Sequence, residues 1–138
     1  MSKRTFIVFG LTVAVLAVLI PWLAFRADGE PADGADVPAN LGAGKSLFDT
    51  NCGACHTLYA AGTDGNFGPD LDELLAPTGP PTGPAARDTI EATEGRVLNA
   101  IVEGLDSSTT PGRMPGGILS GEQAEAVAEF VANTAGRG

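Results

Sequence analysis

The chain has 138 residues, 43% hydrophobic but only 6% aromatic and 18% charged, with a formal net charge of −9, 19 Gly, 10 Pro, two Cys, two Met and one His. That length holds one domain and an appendage and excludes large multilayer folds. Two cysteines three positions apart exclude a disulfide-stapled mini-protein, and an acidic chain without a basic cluster argues against nucleic-acid binding, which needs Lys and Arg for phosphates. With one His and two Met, any metal site has almost no choice of nitrogen or thioether ligands.

Lys3 and Arg4 precede Thr5 to Phe25, 21 residues without a charge and rich in Val, Leu, Ile and Phe. About 20 apolar residues at 1.5 Å rise cross a ~30 Å hydrocarbon core, so this run is long enough to span. A cleaved secretory signal and a retained single-pass anchor compete for residues 1–26. The exit, Pro21-Trp22-Leu23-Ala24-Phe25-Arg26-Ala27, lacks an A-x-A cleavage pattern, which favours the anchor. On either account the positive N-terminus stays inside and the rest is exported, which predicts a cytoplasmic-membrane protein with its domain on the periplasmic, extracytoplasmic side. Residues 27–40 follow with four acids, two Pro and no hydrophobic periodicity, the composition of an extended, self-repelling linker. At ~3.3 Å per residue it reaches about 45 Å, and it serves equally as a mobile tether or as a spacer that clears the headgroups.

From Leu41 onward the patterns are helical, with no two-residue alternation. Asn40 is placed to cap a helix through Asn51 whose Leu41, Gly44, Leu47 and Phe48 share a face. Gly44 weakens that helix, so its presence predicts a second helix crossing closely above it. Asp70-Leu71-Asp72-Glu73 has capping-box spacing and predicts a short helix ending by Pro77. Val97, Leu98, Ile101, Val102 and Leu105 form an amphipathic stripe stopped at or soon after Gly104, and Ser120-Gly121-Glu122-Gln123 opens a last helix through about Thr134 with Ala124, Val127, Phe130 and Val131 inward. Residues 41–138 therefore read as an all-α domain of three main helices plus a short one. Four aromatics, Phe48, Tyr59, Phe67 and Phe130, make a thin core for about 100 residues, and a large apolar cofactor would supply the missing volume.

Cys52-Gly53-Ala54-Cys55-His56 names that cofactor, because C-x-x-C-H is the attachment pattern for c-type haem. On a helical turn Cys52, Cys55 and His56 lie at i, i+3 and i+4 and face one side. Two thiols there can add to the vinyl groups on one porphyrin edge while the imidazole reaches the iron. A thioredoxin-like pair would need a βαβ context, a structural zinc would need four ligands, and a simple disulfide explains nothing about His56. The second ring nitrogen of His56 needs an acceptor, and Pro69 presents a rigid carbonyl shortly downstream; Gly68-Pro69 is also a turn before a helix, and both can hold. The sixth ligand follows by elimination: His is exhausted and Met1 lies at the far end of the apolar segment, leaving Met114 in the Pro/Gly-rich loop 110–117.

With these residues in place, Leu41 to Ala135 resembles a class I c-type cytochrome, a small single-haem electron carrier. The matching features are Gly44, Leu47-Phe48, Cys52-x-x-Cys55-His56, Gly68-Pro69-Asp70-Leu71, Ile101-Val102-Glu103-Gly104, Met114-Pro115 and a final helix carrying Phe130. The resemblance implies a class I cytochrome c fold around one haem c, attached through Cys52 and Cys55, here preceded by one N-terminal transmembrane helix. It implies that Gly44 and Phe48 pack near Phe130, that His56 and Met114 are the axial ligands, that Pro69 accepts the His56 hydrogen bond and that Leu71 joins the cofactor-contact residues. Residues 75–88 are a Pro/Gly-rich insertion outside the family pattern, and no Trp follows the apolar segment.

A thioether opposite imidazole favours ferrous iron, and two filled axial positions leave no place for oxygen or substrate. The expected function is electron transfer rather than enzymatic turnover: a membrane-tethered monohaem carrier between respiratory complexes, such as a quinol-oxidising complex and a terminal oxidase, docking at the haem edge. A fixed subunit of an oxidase or dehydrogenase is the alternative, and a haem sensor with an open iron site is a third. Residues 1–26 hold three cations and no acid, so the part from Ala27 onward carries −12. That charge predicts partners with positive docking surfaces and association that weakens with salt.

Overall fold

The computed structural model describes residues 3–27, 36–106 and 113–138, without the side chains of residues 4–6 and 22–27. Of the expected linker only its last residues, from Asp36, and of the Met114 loop only residues from Arg113, fall within that set. The chain divides into two compact units, Met1–Ala32 and Asp33–Gly138.

The first unit is helix α1, Lys3–Ala27. Between Ile7 and Pro21 its one polar side chain, Thr12, turns its hydroxyl back to donate to the Val8 carbonyl at 2.9 Å. Among the described residues no helix is long and apolar enough to cross a membrane. The run expected to span, Thr5 to Phe25, extends past the described side chains at both ends.

The second unit contains α2 (Gly42–Asn51), α3 (Leu71–Leu75), α4 (Ala86–Glu103) and α5 (Glu122–Thr134). The expectation of three main helices and a short one thus matches the mostly helical architecture observed. A small antiparallel ladder, β1 (Thr57–Leu58) with β2 (Thr63–Asp64), is an addition, too short for any alternation to show in the sequence.

Helix α5 is the centre of the packing, in contact with both α2 and α4. Its Ala124, Val127, Ala128 and Val131 recur at helical spacing, and with Phe130, Ala132 and Thr134 all are buried. The buried Thr134 hydroxyl is satisfied by the Phe130 carbonyl at 2.7 Å. Gly44 is where α2 meets α5: a Cβ there would run into the Ala126 carbonyl and lie 2.7 Å from Phe130 Cβ. The absence of a side chain lets Phe48 and Phe130 meet edge to face, centroids 5.9 Å apart at 62°.

Four expectations need correction. Asn40 caps nothing with its side chain, because Ala39–Leu41 form a 3₁₀ turn and Leu41 stands at the N-cap of α2. Ser120 does not cap α5 either; Gly121, with φ 56°, occupies that position without a side-chain bond. Tyr59 and Phe67 stand outside the core, at 48% and 51% exposure, Tyr59 at the start of the 3₁₀ turn Tyr59–Ala61 and Phe67 in the loop before Gly68. The insertion at 75–88 is also shorter than its composition implies, since α4 begins at Ala86.

Candidate haem site

The end of α2 builds the attachment turn. Cys52 N–H and Gly53 N–H both donate to the Phe48 carbonyl, and then Cys55 N–H and His56 N–H both donate to the Cys52 carbonyl at 3.0 Å. Bonds at i+3 and i+4 to one oxygen are what place Cys52, Cys55 and His56 on one side of a turn. Both cysteines are free thiols, Cys52 half-buried and Cys55 exposed. Burial, with a smaller contribution from Cys55, pushes the Cys52 thiol up to about 11, so before attachment it is a neutral thiol at physiological pH.

After His56 the chain folds back on the turn. Thr63 Oγ1 donates to the His56 carbonyl at 3.0 Å and accepts from Leu58 N–H at 3.2 Å, which holds β2 against the residues after the motif. Gly68 N–H donates to the Cys55 carbonyl at 2.7 Å. Gly68 lies against the imidazole so closely that a Cβ would stand 2.5 Å from His56 Cε1 and 2.8 Å from Nδ1. His56 Nδ1 then lies 2.9 Å from the Pro69 carbonyl, an oxygen that can only accept. The tautomer follows: Nδ1 carries the proton and Nε2 keeps a free lone pair.

Asp70, next in the chain, caps α3 by accepting from Asp72 N–H at 2.8 Å and Glu73 N–H at 3.2 Å, the arrangement its capping-box spacing predicts. Leu71 and Leu75 of α3 and Val97 and Leu98 of α4 are only partly buried, although they pack against the core. Met114 belongs to the same half-covered group. It forms an isolated antiparallel bridge with Leu105 through two 3.0 Å backbone bonds. Gly104, with φ 76°, ends α4, and Gly117 N–H donates to the Ile101 carbonyl at 2.9 Å. A Cβ on Gly116 would lie 2.6 Å from the Glu103 carbonyl carbon, so the Met114 strand is strapped onto the end of α4.

These residues fit a haem: two free thiols and an imidazole on one turn, Nε2 unengaged, and apolar side chains that the protein alone leaves half covered. The cytochrome c family matches residues 41–135. The chain belongs to the cytochrome c family. It is a class I c-type cytochrome, with one haem c covalently attached through the Cys52-x-x-Cys55 pair, and its domain carries electrons. Among solved structures the cytochrome is similar to the c-type cytochrome SorU from Sinorhizobium meliloti, at 31% identity over 70% of this chain and 92% of that one, with a TM-score of 0.47. No curated protein matches it.

Of the residues expected at the site, Cys52, Cys55 and His56 come together on one turn, Pro69 meets His56, and Leu71 and Met114 stand on the half-covered apolar surface. Three other residues support the site in ways that no motif assigned to them. Gly68 belonged to the matching Gly68-Pro69-Asp70-Leu71 run and to a turn, with no role of its own, Thr63 carried no motif, and Asp72 looked like one more acid in the first turn of a helix. Their roles come from contacts between the segment after the attachment turn and the residues that fold back on it, which spacing within one motif does not encode.

Proposed function

We propose that this cytochrome is a membrane-tethered monohaem electron carrier on the extracytoplasmic side, with His56 and Met114 as axial ligands, working in a respiratory chain between a quinol-oxidising complex and a terminal oxidase. The observation that carries the reading is the 2.9 Å bond from His56 Nδ1 to the Pro69 carbonyl, which leaves the lone pair of the other ring nitrogen free for a metal. Bound to the two cysteines, the haem supplies a one-electron ferric/ferrous couple. His56 is held in one tautomer and one orientation by Pro69 and Gly68. Met114 is the one thioether of the exported domain, and its strap onto α4 limits how far it can move. Cys52 and Cys55 keep the cofactor from leaving a small shell.

The tether rests on α1. Its large apolar side chains from Ile7 to Ile20, among them Phe9 at 66% and Val18 at 72%, are exposed, a surface that water-soluble proteins rarely present over such a length. Anchoring raises the effective concentration of the domain at both partners, and the −12 from Ala27 onward favours cationic docking faces.

The test compares the full chain with Met114→Ala. The ferric spectrum should change and the reduction potential should fall; an unchanged spectrum and potential would remove Met114 from the iron and favour a sensor with an open site. Deleting residues 1–26 behind a cleavable export signal should release the holoprotein from membranes. Stoichiometric co-purification of the detergent-extracted full chain with one large complex would replace the shuttle by a fixed subunit.

A further inference from the structure

We propose that Asp72 is a positioning residue for His56: its carboxylate clamps the start of α3 to the segment that follows the haem-attachment turn, and so sets the strength of the His56 bond to Pro69. The inference rests on His56 being an iron ligand, as argued above.

The segments 55–59 and 68–72 run past one another with a constant offset. Cys55 accepts from Gly68 N–H at 2.7 Å, His56 Nδ1 donates to Pro69 at 2.9 Å, and Tyr59 N–H donates to Asp72 Oδ2 at 2.7 Å. Each rung joins residues thirteen apart. The third rung is the one made by a charged side chain, and hydrogen bonds to ionised acceptors are roughly twice as strong as neutral ones. The other oxygen of Asp72, Oδ1, accepts from Gly136 N–H at 2.6 Å, just beyond the end of α5. Asp72 thus ties α3, the post-haem segment and the last helix at one point. Neither N–H has another protein acceptor among the described residues, so removing the carboxylate frees two donors together.

The carboxylate does not touch His56. Its effect passes through Pro69, three residues earlier on the same loop-to-helix junction, as Tyr59 is three residues after His56. A fixed Pro69 carbonyl draws the Nδ1 proton and makes the ring a better electron donor, which favours ferric iron. With the clamp open, Pro69 drifts, the bond weakens, and ferrous iron is favoured. Loss of Asp72 therefore raises the reduction potential, the opposite sign from loss of Met114.

The experiment uses the full-length holoprotein and Asp72→Ala, Asp72→Asn and Val127→Ala, the last a core truncation in α5 that leaves the clamp alone. Haemochrome assay and a low-spin parent spectrum first establish attachment and His56 ligation, so failure there falls on the function and not on the clamp. Nuclear magnetic resonance follows exchange of the His56 Nδ1 proton, and voltammetry the potential. Asp72→Ala should speed that exchange about tenfold, as expected when a charge-assisted contact is lost from a local opening, and should raise the potential. Asp72→Asn, which keeps one acceptor oxygen, should lie between parent and Asp72→Ala. Val127→Ala should lower the denaturation midpoint with both readouts unchanged. If Asp72→Ala fails to take up haem, the Asp72→Asn exchange rate decides alone. Parent-like exchange and potential in Asp72→Asn and in any folded Asp72→Ala, or shifts no larger than those of Val127→Ala, would overturn the proposal.

Discussion

Two glycines inside helices should respond to the same substitution with opposite signs. Gly95 lies mid-way along α4 with nothing within 4 Å of the position a Cβ would take, and its φ is ordinary for a helix. Alanine there gains about 0.8–1 kcal/mol of helix propensity, partly by narrowing the unfolded ensemble. Gly44 in α2 gains the same propensity, but its Cβ would collide with the Ala126 carbonyl, lie 2.7 Å from Phe130 Cβ and 2.9 Å from the Ala126 carbonyl carbon. Two of those three neighbours are backbone and the third is the root of a core side chain, so none can swing aside; α2 and α5 must separate. Over-packing of that kind costs about 1–3 kcal/mol, and the separation also loosens the Phe48–Phe130 contact, worth about 0.5–1.5 kcal/mol beyond its buried area. The loss exceeds the propensity gain, leaving Gly44→Ala about 1–3 kcal/mol less stable and Gly95→Ala up to ~1 kcal/mol more stable. Urea denaturation of the holoproteins, followed by helix ellipticity, separates them, and each kcal/mol moves the thermal midpoint by roughly 4–8 °C in a domain of this size. Equal midpoints for Gly44→Ala and Gly95→Ala would refute the close crossing of α2 on α5.

Further substitutions probe the site's supports. Gly68→Ala should weaken the His56–Pro69 bond by pressing on the imidazole, seen as a heme-linked spectral shift and a destabilisation of about 1–3 kcal/mol; parent-like stability and spectrum would show the ring has room. Asp70→Ala removes the cap from Asp72 N–H and Glu73 N–H and should lose about 0.5–2 kcal/mol in the same urea assay, whereas Asp70→Asn or Asp70→Ser should restore most of it. Asp49 has a buried Oδ1 without a partner, and burial holds its carboxyl above the ordinary 3.8 despite the opposing pull of Lys45. Its ionised form therefore opposes folding at neutral pH, and that penalty fades as pH falls through the raised native value and is gone below 3.8. Asp49→Asn should accordingly be more stable than the parent at pH 7, with the difference shrinking on acidification; a difference independent of pH would mean that the carboxyl is not destabilised in the folded state.

How much of this was legible in the sequence depended on whether a feature lives within one segment. The inward face of α5 was legible because Ala124, Val127 and Val131 repeat with the period of the helix that buries them. The attachment turn was legible because two sulfurs and an imidazole serving one porphyrin need a spacing that a single helical turn supplies. Asp70 was legible as a cap because the N–H groups that donate to its carboxylate lie two and three residues ahead. Asn40 and Ser120 have equally good capping chemistry and do not cap, because a 3₁₀ turn and a left-handed Gly121 take the chain into α2 and α5. Asp72 was the hardest to see: its partners are Tyr59 and Gly136, the latter 64 residues away, and they meet only because α3 folds back on the segment after the attachment turn and the chain leaving α5 arrives at the same carboxylate.

The supports of His56 and of Met114 also differ in kind. On the His56 side the supports are bonds within the turn to the Cys52 carbonyl and then three rungs to 68–72. On the Met114 side the strand is joined to the end of α4 by the Leu105 bridge, the Gly117 bond to Ile101 and, outside them, an Arg113–Asp106 ion pair at 2.9 Å. That pair is 71% and 77% exposed, so salt and side-chain entropy leave it weak. The covalently tethered turn is thus the firmer support, and the thioether side is the one that local opening reaches first. Replacing Arg113 by Ala should therefore leave the global denaturation midpoint within about 0.5 kcal/mol of the parent, while making the holoprotein more readily bound by an added exogenous ligand such as imidazole. An imidazole affinity unchanged by Arg113→Ala would mean that the backbone bridge to Leu105 alone governs access on that side.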